Sequence, residues 1–362
     1  MGKGKTLALN TLNSLLPLLC AFGIGAIIII LIGENPLTTY GVMLGKTLFD
    51  WNGFLKTLHF ASPLILTGLA IAITFKANIF NMGVEGQLLV GGFFACVVGF
   101  SFEGLNPVVH VILCLLTGIA CGMLFALIPA VLKAYFKVNE IVVTLMLNYA
   151  AIEILRILSQ TIYRDPTLGY VSTPAVTGSA MFNRIGGTSL TLFFPLTIIV
   201  FIIMYVVFKK SRLGYEVTAI GKNPEFAEAS GMNVRRKIIY IMVISGALSG
   251  LAGAGFMLSE KFKYTLDFSG SPGLGWDGML IALLGRNSPI GIIIAAIFYS
   301  ALKTGADSIG IFTNVPKEIV SVIQGLIILF LSIRFINQNT KLFGNVIARF
   351  GSKEKKNEEV CK

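Results

Sequence analysis

The residues of this chain best placed to do chemistry are two acids set among glycines. Gly83-Val84-Glu85-Gly86-Gln87-Leu88 and Gly275-Trp276-Asp277-Gly278-Met279-Leu280 share the pattern G-x-acid-G-x-L inside otherwise apolar stretches. A charge at the centre of a bilayer costs roughly 2.5–3.5 kcal/mol on insertion scales, and less beside a helix N-terminus. Each acid therefore either caps a helix or lines a water-filled path, the setting in which glycine-broken backbone is tolerated at membrane depth. A third polar feature is the run Asn139-Glu140, Thr144 and Asn148, whose four-residue steps put one polar stripe on an apolar helix. Such a stripe is unfavourable against lipid. It is expected to face a pathway or a partner subunit in preference to making simple interhelical hydrogen bonds. Glu153 and Arg156, three residues apart on the same helix, are read as neutralising each other near the outer interface.

Other chemistry is missing. The only histidines, His59 and His110, fall near predicted outer ends of spans, and no His/Cys/carboxylate group has metal-ligand spacing, so no metal site is expected. Gly4-Lys5-Thr6 and Gly45-Lys46-Thr47 resemble the end of a phosphate-binding loop, but the glycine five positions upstream is absent in both. No G-x-S-x-G nucleophile motif occurs. Cys20, Cys96, Cys114 and Cys121 lie in apolar spans and Cys361 near the C-terminus, without a CxxC pair, and read as packing residues. The chain is expected to be non-catalytic and to hold no cofactor of its own.

The elements that must carry these residues follow from composition. Of 362 residues, 55% are apolar and 13% charged, about half the charge of an ordinary soluble domain. Thr6 to Gly33 and Gly104 to Leu132 lack any charge, and each exceeds the roughly 20 apolar residues that cross a bilayer. The N-terminal stretch is long enough to span and has no small-residue cleavage site, which argues against a signal peptide, and a single acyl chain on Gly2 would be redundant. Candidate spans lie near 13–33, 57–75, 82–100, 107–132, 140–160, 189–208, 238–258, 276–291, 292–308 and 316–334. Most of the 29 Lys and Arg fall between spans on one side, so the positive-inside rule puts both termini inside. The net charge of +11 is thus explained by topology, without nucleic acid as a partner.

The two G-x-acid-G-x-L segments lie five spans apart, and each follows a Gly-Leu-Ala triplet, Gly68-Leu69-Ala70 or Gly250-Leu251-Ala252. Five is odd, so the copies run in opposite directions, as in the inverted repeats of transporters. The expected fold is an all-α polytopic membrane protein. About ten helices form two inverted five-helix repeats, near 13–160 and 189–334, in one transmembrane domain over 1–352. Broken or re-entrant segments are expected near 78–88 and 272–288. The inside loop 209–237 is too polar to enter the membrane, and 353–362 is a charged tail. Gly246, Gly250 and Ala254 space small residues four apart for close backbone packing, within the subunit or across a dimer, and Gly118 and Gly122 repeat the device.

Several segments resemble a known family. Asn78 to Gln87, Glu140 with Thr144-Leu145-Met146-Leu147-Asn148-Tyr149, Ala219-Ile220-Gly221-Lys222-Asn223-Pro224 running to Gly231-Met232, Ser245 to Gly253, and Ala282 to Pro289 resemble the membrane permeases of bacterial ABC importers for nucleosides and simple sugars. The likeness covers about residues 60 to 310, in the family's order, and Thr-Leu-Met-Leu-Asn-Tyr is closer to the nucleoside branch than to the ribose or branched-chain amino acid branches. Met82 stands where members often carry Ile.

The resemblance implies a multi-pass subunit of the bacterial cytoplasmic membrane. Its partners would be a second permease, a paralogue rather than a second copy, cytoplasmic ATPases that bind the ATP and Mg, and an extracytoplasmic substrate-binding lipoprotein. It implies that Gly221, Asn223, Glu228 and Gly231 couple the chain to an ATPase. Asn81, Glu85, Gln87, Asn148, Trp276 and Asp277 are the pathway candidates, because a nucleoside needs stacking and hydrogen-bond partners rather than charge pairing. A second reading of the acids is a secondary transporter in which Glu85 or Asp277 carries a proton.

Overall fold

The computed structural model describes residues 19–266, 272–313, 315–316, 318–326 and 329. Parts of the first and tenth expected spans, and the whole of the tail 353–362, lie outside the described residues. The described elements are helical, with two isolated bridges, Ser172 to Thr265 and Arg184 to Thr191.

The chain divides into two compact units. In the smaller, described over residues 19–43 and from 305 onward, α1 (Leu19–Leu31) leads to α2 (Pro36–Leu44). The Tyr40 hydroxyl donates to the Phe22 carbonyl at 2.8 Å. The larger unit, residues 44–304, opens on a π-turn at Gly45–Phe49. It then holds α3 (Trp51–Lys76), α4 (Val84–Ser101), α5 (Pro107–Phe136), α6 (Glu140–Thr161) and α7 (Phe193–Lys210). These are followed by α8 (Arg212–Lys222), α9 (Pro224–Ala229), α10 (Val234–Phe256, prolonged by a π-turn to Lys261) and α11 (Leu274–Leu284). The last helix, α12 (Pro289–Phe312), begins in this unit.

Seven of the described helices are long and apolar enough to cross a membrane: α3, α4, α5, α6, α7, α10 with its π-turn, and α12. The expected eighth span, 276–291, is corrected. Its helix α11 has only 11 residues, about 16 Å at 1.5 Å per residue, half the hydrocarbon thickness. Gly285 closes it, Arg286 and Asn287 both adopt left-handed backbone at φ 54° and 52°, and Pro289 opens α12. The expected ninth span, 292–308, is correspondingly longer. Within the expected loop 209–237 the chain forms two short helices, α8 and α9. Residues 33–56, between the first and second expected spans, carry α2, the π-turn and the start of α3.

The core of the larger unit is the contact of α10 with α3, α4 and α5, and it is made by glycines. A Cβ at Gly250 would fall on the Gly118 carbonyl, one at Gly246 on the Gly122 carbonyl, and one at Gly253 on the Leu88 carbonyl. Ala254 meets Gly118 in the same seam. The small-residue stripe therefore packs within this chain, letting backbones touch where lipid supplies no hydrophobic drive to associate. The segment after α6 is tied down by backbone bonds. Thr173 N–H donates to the Tyr264 carbonyl, Val176 N–H to Phe262, Thr177 N–H to Gly99 and Phe182 N–H to Leu258, all at 2.8–3.0 Å. His110 sits beneath it against the Ser179 hydroxyl at 2.9 Å. His59 lies against Glu260 at 3.2 Å.

Candidate functional site

α3 stops at Lys76 and α4 starts at Val84, leaving seven residues outside both helices, of which Ala77, Ile79, Asn81 and Gly83 are buried. Asn78 turns the chain with φ 57°. Buried backbone polar groups need partners, and here polar side chains supply them. Asn81, fully buried, accepts from the Gly83 N–H at 3.0 Å, donates to the Ser245 hydroxyl at 2.9 Å, and pairs with the Gln87 amide at 3.2 Å.

The polar stripe of α6 does the rest. Thr144 accepts from the Met82 N–H at 3.2 Å, and Asn148 accepts from the Gly86 N–H at 2.9 Å while donating to the Met82 carbonyl at 2.7 Å. Glu140 takes the Phe80 N–H at 3.5 Å and pairs with Lys133 at 2.7 Å. The stripe, expected to face a pathway or a partner, thus binds the broken segment of its own chain, because that segment presents unpaired amides. Glu153 and Arg156 pair on the exposed face of α6 at 2.6 Å.

Glu85, in the first turn of α4, is 2% exposed. Its carboxylate accepts the N–H of Gly273 at 2.9 Å and of Gly275 at 2.5 Å, so it caps the N-terminus of α11 from across the fold. The site favours a carboxylate twice over, through the free amides of a first helical turn and through the helix dipole. Gly275 is required, since a Cβ there would strike the Glu85 backbone, and Gly273 adopts φ 76°. Asp277 does not reciprocate. Its two oxygens accept from the Tyr299 hydroxyl at 2.6 Å and the Lys303 ammonium at 3.1 Å, both on α12. Trp276 beside it is 39% exposed.

At the end of the unit that carries Lys76, Ser211 caps α8 and Asn223 caps α9, accepting from the Phe226 N–H at 2.9 Å with Pro224 next in sequence. Gly231, at φ 82°, ends the segment, and Glu228 is exposed. Gly221 lies so close to the end of α3 that a Cβ would meet the Lys76 carbonyl. Glu216 ties α8 to α10, pairing with Arg212 at 3.1 Å and Lys237 at 2.5 Å. Burial by itself pushes its carboxyl up, but Lys237 and then Arg212 outweigh that and hold it below its usual range. In the segment after α6, hydrogen bonds from the Thr167 hydroxyl and N–H hold the Asp165 carboxyl below its usual range.

Asn81, Glu85, Gln87 and Asn148 therefore come together at the break, Trp276 and Asp277 lie on the capped helix, and Gly221, Asn223, Glu228 and Gly231 lie along α8–α9. Sequence reasoning missed Ser245, Tyr299, Lys303 and Glu216. Only the i, i+4 spacing of Arg212 and Glu216 was a usable signal, because the other contacts are tertiary.

Residues 53–332 match the family described as the permease component of the branched-chain amino acid transport system. The chain is 35% identical over 349 residues to the guanosine ABC transporter permease protein NupP of Bacillus subtilis, covering 92% of this chain and 98% of that one. It is 34% identical to the nucleoside ABC transporter permease protein NupB of Lactococcus lactis, over 90% of this chain and 92% of the other. With the glucose ABC transporter permease protein TsgB13 of Haloferax volcanii it shares 33% identity, over 87% and 85%. No solved structure matches the chain.

Proposed function

Because the chain belongs to the family of permease components named for branched-chain amino acid transport, we propose that it forms the translocation pathway of an ATP-driven importer for nucleosides. The observation that carries this reading is the end-to-end match to a guanosine permease, 35% identical over 92% of this chain. A second relative named for nucleosides supports it. Proton coupling through Glu85 or Asp277 has no comparable support.

In this reading the protein is a multi-pass subunit of the bacterial cytoplasmic membrane with both termini inside. Ten helices in two inverted repeats remain the proposed full topology. The chain hydrolyses nothing itself. ATP and Mg bind a cytoplasmic ATPase, and an extracytoplasmic lipoprotein delivers the solute. The chain is also 25% identical to NupQ, a second guanosine permease protein of Bacillus subtilis, which favours a paralogous permease partner over a second copy.

ATP binding to the ATPase pair would favour one of two states of the permease, and differential affinity for those states drives the switch. The α8–α9 segment, with Gly221, Asn223, Glu228 and Gly231, is the coupling surface, and exposed Phe226 and Tyr215 give it an apolar face to dock. Trp276 and Asp277 border the pathway directly. Asn81, Gln87 and Asn148, buried behind it, hold the broken segment in place, and Glu85 caps α11. The test is purification through a C-terminal tag in mild detergent, followed by uptake assays in liposomes. Recovery of a P-loop ATPase and guanosine uptake that needs ATP are expected. Recovery of the chain alone, competent for uptake under a proton gradient without ATP, would overturn the reading.

A further inference from the structure

The ion pair between Asp277 and Lys303 stands at membrane depth yet is open on one side. Asp277 adjoins Gly278, whose α-carbon packs so tightly on Thr67 that a Cβ would collide with it. Thr67 is nine residues from the end of α3 at Lys76 and sixteen from its start at Trp51, about 14 and 24 Å at 1.5 Å per residue. Lys303 lies fourteen residues into α12 from Pro289, about 21 Å along that helix. Even so, the Lys303 side chain is 44% exposed and that of Asp277 15%. A charged pair at this depth is costly against lipid, so its open side must meet water or polar groups. Trp276, the residue before Asp277 on α11, is 39% exposed.

We propose that Lys303 and Asp277, with Trp276, form a subsite on the translocation pathway that takes the hydroxyl-bearing sugar of a neutral nucleoside. This rests on the importer reading above. The pair carries no net charge, which suits a neutral solute better than a phosphorylated one. Tyr299 and Lys303 fix the Asp277 carboxylate by one hydrogen bond to each oxygen, and a carboxylate has further lone pairs to accept a sugar hydroxyl. The ammonium gives one of its three N–H groups to Asp277, leaving donors for a sugar oxygen. The indole face can stack on base or ring, and its contact does not depend on the base's hydrogen-bonding pattern. Tyr299 is a positioning residue that acts through Asp277.

The test uses the assembled transporter. Lys303→Cys is treated with a membrane-impermeant cationic methanethiosulfonate, with the unsubstituted chain as background, and modification slowed by guanosine is expected. In parallel, uptake of guanosine is compared with that of 2′,3′-dideoxyguanosine in Lys303→Met, Lys303→Arg and unsubstituted complexes. Removing a charged hydrogen-bond partner is expected to lower the ratio of the two rates by about tenfold in Lys303→Met, with Lys303→Arg restoring most of it. No modification of the cysteine above background overturns the proposal, and so does modification with an unchanged uptake ratio. An unsubstituted complex that takes up no nucleoside overturns the importer reading itself, and that failure is recognisable because the control carries no substitution.

Discussion

Glu85 accepts the backbone N–H of Gly275 at 2.5 Å, so a side chain in the first turn of α4 caps a helix 190 residues away. The bond joins two helix starts that carry the same G-x-acid-G-x-L pattern, and the two acids of that pattern do different work. Glu85 is spent on backbone amides, whereas Asp277 is spent on side chains of α12.

Replacing Glu85 by Gln keeps the size of the side chain but turns a donor toward one of two donor amides. A hydrogen bond to a charged group contributes about 1.5–3 kcal/mol, and Glu85→Gln is expected to lose about that much. Thermal unfolding in detergent should show a clearly lowered midpoint, with Glu85→Ala lower still. An unchanged midpoint would contradict the capping role.

Asn148 serves both an amide and a carbonyl of the broken segment. Asn148→Leu leaves the Gly86 N–H and the Met82 carbonyl buried without it, at about 1–3 kcal/mol for each. Asn148→Asp keeps the acceptor for Gly86 but sets a buried carboxylate oxygen against the Met82 carbonyl, so it too should be less stable than the unsubstituted chain. Chemical denaturation monitored by tryptophan fluorescence would order the three.

Gly250→Val should prevent the seam of α10 and α5 from closing, because the new Cβ lands on the Gly118 backbone carbonyl, which cannot rotate away. Loss of a monodisperse peak in size-exclusion chromatography is expected. Gly23→Ala, with nothing within 4 Å of the added Cβ, should leave the elution profile unchanged.

Glu216 links pH to the attachment of α8. Its carboxyl is held below its usual range in the folded chain, so its contribution is complete above the ordinary glutamate value of about 4.3 and is lost as pH falls through the lowered one. Acidification below about pH 4 should therefore destabilise the unsubstituted chain more steeply than Glu216→Gln. Parallel slopes in that window would show that Lys237 and Arg212 do not select the ionised form.

Much of this was legible in the sequence, and the rest was hidden for definite reasons. Long apolar stretches announced α3 to α7 and α10, since a span needs little beyond length and hydropathy. A window of about 19 residues averages across Gly285-Arg286-Asn287-Ser288-Pro289, so the span pattern runs 276–291 through the halt after α11, although the glycines near 272–288 do signal a break there. The Glu140, Thr144 and Asn148 stripe was correctly found as polar, but periodicity says which face of a helix is polar and not what lies against it. Asn81, Glu85 and Gln87 were picked out beside Gly83 and Gly86. Their partners Ser245, Gly273 and Gly275 come from distant elements that no local pattern specifies. Lys303 belongs to no sequence motif, and only the placement of α12 sets its ammonium 3.1 Å from Asp277.

The approach of Gly221 to the Lys76 carbonyl has a mechanical meaning. Most helix contacts are cushioned by side chains that can change rotamer and absorb a small displacement. Here a glycine abuts a main-chain oxygen, so the joint has almost no slack. In the coupling role proposed above for α8–α9, a displacement of α8 would be passed to the last turn of α3 through main-chain contact. The irregular segment that Asn81, Thr144 and Asn148 hold begins at the very next residue. A bulkier residue at 221 would push α8 away from the end of α3, because the added Cβ falls on the Lys76 main-chain carbonyl, which cannot rotate away.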